Sequence, residues 1–203
     1  MTASPAALPT KRERNKASNR AALLVAAKAV FAEMGFGAAS VRDIIRRTDL
    51  AAGTFYNYFN DKQEIFRAVV EELTTELRLE HSSGRAVAAT LEDFVRGTFS
   101  AYFDFIAGDP DMVKFSRRNA SAIRTLLDQP EITPLFDDLR QDLAGGMARG
   151  LVPSMDVGYL AASIAGIAFE VSMVMVARDP VDPKAATDFA ANLLLNGLRG
   201  GGR

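Results

Sequence analysis

Apolar residues recur at three- and four-residue intervals along most of the chain, and no stretch of sustained alternation reads as a strand. The pattern predicts an all-α protein. Leu23, Ala27, Val30, Phe31 and Met34 share one face of a first helix over about residues 18–35, stopped by Gly35 and Gly37. Ser40 with Asp43 three positions on has the spacing of a capping box, and Val41, Ile44 and Ile45 carry a short second helix to about Thr48. Asp49 and Leu50 interrupt before a third short segment, Ala51 to Phe59. Asn60 and Gln63 then offer a cap for a long fourth helix with Phe66, Val69, Val70, Leu73 and Leu77 inward, ending near His81. Five more helical segments are predicted near 89–107, 111–128, 131–149, 156–178 and 183–199, separated by Gly- and Pro-containing breaks.

Two short helices joined by a tight turn are the parts of a helix-turn-helix. At about 100° per residue, Ala52, Phe55 and Phe59 of the third helix share one face, with Gly53 and Asn57 opposite and Thr54 and Tyr56 flanking. One side anchors the helix. The other offers a small residue, a hydroxyl, an amide and a phenol, a set suited to base edges and phosphates in a major groove.

Charge adds to this picture once it is divided along the chain. The formal total is −1, which taken whole argues against nucleic acid. Residues 1–64, however, carry ten basic and six acidic side chains, a surplus of +4, against −5 for residues 65–203. Lys11, Arg12, Arg14 and Lys16 make residues 1–17 a flexible basic arm, able to follow a phosphate backbone or to act as a solubilising tail. Arg46 and Arg47 read as a solvated face of the second helix, the alternative being that they add to the DNA contact. With no Cys and one His, His81, the chain lacks the residues for a thiolate or His-based metal site or a Cys-His nucleophile, and no cofactor is expected. No signal peptide is legible in the first fifteen residues, so a cytoplasmic location is expected.

Residues 40–62, SVRDIIRRTDLAAGTFYNYFNDK, resemble the DNA-binding motif of the TetR family of transcriptional regulators, most clearly in Ala52 to Phe59 followed by Lys62. The likeness covers about residues 18–65. It implies that Ala52, Thr54 and Asn57 face bases, that Gly53 permits close approach, and that Ser40, Arg42, Tyr56, Tyr58 and Lys62 hold phosphates. Two positions depart from the family pattern. Asp49 stands where Gly is usual in the turn, and is expected to tolerate a left-handed backbone there. Ala51 stands where Ser or Thr is usual, which removes a helix cap. The resemblance implies a three-helix DNA-binding domain over 18–64 and a helical ligand-binding and dimerisation domain over 65–203.

A helix-turn-helix reads one half-site, so a palindromic operator in double-stranded DNA requires a homodimer. The segments 156–178 and 183–199 are the expected dimer surface, the first apolar almost throughout and the second with a broad apolar stripe. Val157 to Ala177 is also about long enough to span a bilayer, but its many Ala and Gly residues and Glu170, costing roughly 3 kcal/mol at mid-span, argue against membrane insertion. It is expected to be buried on all sides, between its own core and a partner. The aromatic-rich stretch 91–136 is either solid core or, as the resemblance implies, the wall of an apolar pocket for a small hydrophobic effector. Phe99, Tyr102, Phe103, Phe115, Arg118, Phe136, Phe169, Glu170 and Met173 are the candidate lining. Glu170, expected to be buried, either receives a cationic or hydroxylated ligand or pairs with Arg117, Arg118 or Arg124.

The function so read is a repressor released from its operator by a lipophilic effector. The alternatives are a DNA-binding regulator with no effector, and a helical enzyme or binding protein that uses Glu170.

Overall fold

The computed structural model describes residues 10–82, 88–126 and 133–200, apart from the side chains of 80–82, 133 and 198–200. The His81 side chain and residues 1–9 of the expected arm lie outside the described residues. In chain order the helices are α1 (Lys11–Ala38), α2 (Val41–Ile45), a 3-10 helix (Ala52–Asn57), α3 (Lys62–Ser82), α4 (Leu91–Ala107), α5 (Pro110–Leu126), α6 (Thr133–Ala148), α7 (Val157–Val176) and α8 (Pro183–Gly200). The described residues contain no strand.

The basic arm is helical from Lys11 onward, seven residues earlier than its sequence suggested. Thr10 and Glu13 form a reciprocal capping box there, with Thr10 N–H donating to Glu13 Oε2 at 2.7 Å. That pair satisfies free N–H groups at the helix start and places an acid near its positive end. α1 bends at Gly35, where φ is 77°, and resumes for one short turn. Met34 stands 42 % exposed at the rim of the bend rather than in the core, whereas Leu23, Ala27, Val30 and Phe31 are fully buried. At the start of α3 the cap is Asp61, whose Oδ1 accepts from Glu64 N at 2.7 Å, and not the Asn60–Gln63 pair. Glu64 in turn accepts from Asn60 N at 2.7 Å.

Two cores result. One gathers α1, α2, the 3-10 helix and α3, and it includes Met112 and Phe115 of α5. The other lies among α4, α6, α7 and α8, with stacked Phe99 and Phe103 at its centre, 6.0 Å apart. The first core therefore crosses residue 64, the expected domain boundary, because α5 lies along α1. Ion pairs brace the body: Arg78 to Asp138 ties α3 to α6, and Arg96 to Asp188 ties α4 to α8, each at 2.7 Å.

α1 and α7 are each long and apolar enough to cross a membrane by length and composition. Within the single chain α7 is buried on one side. Leu160, Ala161, Ile164, Phe169, Ser172 and Met175 face inward, while Tyr159, Ala162, Ser163, Gly166, Glu170 and Val174 form an exposed stripe at helical spacing. Glu170 is thus on the surface, where Arg124 of α5 reaches it as an ion partner. Its own core does not cover Glu170, because hydropathy summed along a helix says nothing about which side the chain itself covers; the expected burial would need a partner on this stripe.

Candidate nucleic-acid interface

The reader begins at Ser40. Its Oγ donates to Asp43 Oδ2 at 2.5 Å and accepts from Asp43 N at 3.3 Å, while Ser40 N–H donates to the same carboxylate at 3.0 Å. These hydrogen bonds hold the Asp43 carboxyl below its ordinary range. The cap fixes where α2 starts and presents Arg42 outward on its first turn.

The turn after α2 closes differently from the expectation. No non-glycine residue among the described ones has positive φ, so Asp49 is not left-handed. Thr48 does the work: its Oγ1 donates to Ile45 O at 2.9 Å and accepts from Leu50 N at 3.3 Å. A Thr hydroxyl folding back onto its own backbone replaces the conformational freedom of glycine. Arg47 is held away from this surface by a two-pronged pairing with Glu33 of α1, one arm at 2.8 Å.

The third helix is a 3-10 helix started by Ala51 without any side-chain cap, as the missing hydroxyl implied. Phe55 and Phe59 plug it into the core at 0 % and 3 % exposure, and the ring of Phe59 carries Arg20 of α1 5.5 Å above it. Ala52 was expected to share their face and, one 3-10 turn before Phe55, it keeps that register, but as the first residue of the helix it stands exposed. With two aromatic anchors in place, Ala52, Gly53, Tyr56 and Asn57 stand exposed, and Thr54 and Tyr58 are half-buried. A Cβ added at Gly53 would meet nothing within 4 Å, so the space beside its backbone is open to an approaching surface.

Lys62 is not a free cation. Its Nζ donates to Phe36 O at 2.6 Å and Ala39 O at 2.8 Å, with Gly37 O at 3.5 Å, and it lies 4.5 Å from the Phe36 ring centroid. The ammonium caps the carbonyl-rich end of α1 and so fixes the junction from which α2 departs. Ser40, Arg42 and the exposed edge of the 3-10 helix stand on either side of the turn. This arrangement suits insertion of one helix into a groove while the neighbouring helix start meets the backbone.

The candidate effector residues are dispersed. Phe99 and Phe103 are enclosed in the second core, Phe115 and half-buried Phe136 belong to the first, and Arg118 is exposed. Tyr102 hydroxyl lies 3.5 Å from Ser172 Oγ, and burial pushes its pKa up. Phe169 is buried with Arg124 4.8 Å from its ring centroid, and Met173 is half-buried. An open groove of about 320 Å³ lies instead on the outer side of α7 and α8, bordered by Glu170, Val174, Arg178, Asp182 and Phe189.

Residues 23–69 match the sequence family described as bacterial regulatory proteins, tetR family. The transcriptional repressor DhaR of Mycobacterium sp. (strain GP1) is 25 % identical over 192 residues, 81 % of this chain and 87 % of that protein. The repressor KstR2 of Rhodococcus jostii (strain RHA1) is 33 % identical over 97 residues, 46 % of this chain and 48 % of its own length. The fold is shared with the transcriptional regulator FadR of Bacillus subtilis, solved in complex with stearoyl-CoA. The TM-score is 0.75 at 22 % identity, covering 87 % of this chain and 98 % of that one. The matched segment begins on the buried face of α1, takes in both helices of the reader and ends in α3. With its anchors, caps and exposed edge in that register, the segment 23–69 is the part of the chain that carries the pattern of the bacterial regulatory proteins, tetR family.

Proposed function

We propose that the chain acts in the cytoplasm as a homodimeric repressor that leaves a palindromic operator when a small lipophilic molecule binds its C-terminal helices. The observation that carries the reading is the division of labour in the 3-10 helix: Phe55 and Phe59 are locked inside, turning Gly53, Tyr56 and Asn57 toward solvent. Ala52, Thr54 and Asn57 read bases. Ser40, Arg42, Tyr56 and Tyr58 meet phosphates, and Lys62 holds the frame on which they sit.

The dimer surface is the outer side of α7 and α8. Tyr159 is 79 % exposed, Phe189 60 %, and Val174 and Leu193 54 % each, and Gly166 and Gly197 have open space where a Cβ would be. Small residues interspersed with large apolar ones let helices from two copies approach closely. The lipophilic effector is supported by the apolar body around Tyr102 and Ser172 and by the stearoyl-CoA bound in a protein of the same fold.

A second reading keeps DNA binding and omits the effector. It is favoured by the closed packing of Phe99 and Phe103, both 0 % exposed, and by the position of the groove on the outer side of α7 and α8. Fluorescence anisotropy with duplexes from the DNA flanking the chain's own gene, at several salt concentrations and with stearoyl-CoA titrated in, tests both. Specific binding reversed by the acyl-CoA supports the first reading. Specific binding indifferent to acyl-CoA and to aromatic and sterol-like compounds supports the second, and no preference over scrambled DNA overturns both.

A further inference from the structure

Asn119 of α5 is 2 % exposed, and its amide is spent on backbone groups of two helices. Nδ2 donates to Phe31 O at 3.0 Å and to Phe115 O at 2.7 Å, while Oδ1 accepts from Phe36 N–H at 2.6 Å. The side chain therefore straddles the bend at Gly35, holding the residue just beyond it and one a turn before it. A Cβ on Gly35 would lie 3.3 Å from Arg118 O, so α5 meets the bend backbone to backbone.

The peptide so gripped leads directly to the reader. Phe36 offers its N–H to Asn119 and its carbonyl to Lys62, whose ammonium also takes Ala39 O, the carbonyl just before the Ser40 cap. The Phe36 ring packs on Phe66 at 4.8 Å, and Phe66 stacks on Phe115 at 5.8 Å, one helical turn before Asn119. α5 in its turn packs on α4 and α7 of the body. A shift of α5 along α1 must therefore either break three hydrogen bonds to a buried side chain or carry Phe36, Lys62 and the start of α2 with it.

We propose that Asn119 is a positioning residue that couples the C-terminal body to the orientation of the DNA-reading helices through the bend of α1. The proposal rests on the reading of the chain as a DNA-binding regulator. It adds a route through α5 and α1 to the covalent one through α3. Asn119 touches no DNA, so its loss lowers operator affinity without removing a phosphate contact.

The test uses the full chain and a duplex that the wild-type protein selects from a random library. At a temperature where circular dichroism shows each variant folded, Asn119→Ala is expected to bind that duplex about tenfold more weakly with an unchanged salt slope. Combined with Lys62→Met it is expected to be little weaker than the weaker single variant, because both act through Phe36. Affinity within about twofold of wild type, or losses that simply add, overturns the proposal. Should Asn119→Ala fail to fold, hydrogen exchange on the wild-type chain decides. Linkage is reciprocal, so operator binding must slow exchange of the Phe36 amide by about tenfold, and unchanged exchange overturns the coupling. A wild-type chain that selects no duplex overturns the regulator reading itself, a result distinct from any of these.

Discussion

The ammonium of Lys62 sits 2.6 Å from the carbonyl oxygen of Phe36 and 4.5 Å from the centroid of the same residue's ring. One side chain thus closes the end of α1 against the start of α3. Lys62→Met, which keeps the apolar stem, is expected to lose about 1–3 kcal/mol of stability together with operator affinity. Arg42, exposed on α2, has no such internal duty. Arg42→Ala is expected to leave the melting temperature alone and to flatten the slope of log affinity against log salt by about one. Denaturant melts and salt-dependent anisotropy separate the two. A Lys62 variant with wild-type stability would show that the clamp is not what holds the frame.

Gly53 separates fold from recognition still more sharply. A side chain there meets nothing in the protein, and the backbone is not in the left-handed region. Gly53→Val should melt within about 2 °C of wild type and lose operator binding by more than tenfold, since the added methyls occupy the space through which the helix approaches DNA. Retained affinity would mean that this edge does not enter the groove.

The Ser40 cap predicts a pH dependence. The folded pKa of Asp43 is lowered, first by the Ser40 hydroxyl and then by its N–H, relative to an ordinary value of 3.8. The contribution to stability is therefore fully present above the unfolded value and is lost as pH falls through the lower folded one. Glu13, held down by Thr10, behaves the same way from an ordinary value of 4.5. Melting temperature followed downward from neutral pH should fall more steeply in wild type than in Ser40→Ala below about pH 4. Parallel curves would remove the cap from the account.

Phe189 is 60 % exposed at the edge of the groove on α7 and α8. Phe189→Glu should yield a folded monomer by sedimentation, with operator affinity lost because the two readers are no longer held at a fixed spacing. A dimer that survives this change would place the interface elsewhere on the surface.

What could be read from the sequence was local. The inward stripe of α3, from Phe66 to Leu77, and the Ser40–Asp43 box are carried by spacings of three and four residues, which a linear pattern records directly. Asn119 left no such trace: its partner Phe36 is 83 residues away, and an Asn among charged and small residues reads as surface. Glu170 could not be assigned to a side of its helix, because periodicity reports that α7 is apolar but not which side its own core covers. Ala52 and Asp49 were misjudged for other reasons. Ala52 keeps the register of Phe55 but stands exposed at the first position of its helix, which a face assignment does not reveal, and at Asp49 a Thr hydroxyl takes the place of a left-handed turn.

The shared packing of α1, α3 and α5 bears on how such proteins can be recombined. Phe31, Phe66, Met112 and Phe115 belong to one core, so cutting the chain after residue 64 divides a packed interior rather than a linker. A chimaera that grafts residues 10–64 onto a foreign body would arrive with an unanswered amide at Phe36 and a bend whose complement is missing. The transferable unit is the reader together with the α5 surface that fits Gly35, and exchanges that carry both should keep regulation where simple domain swaps lose it.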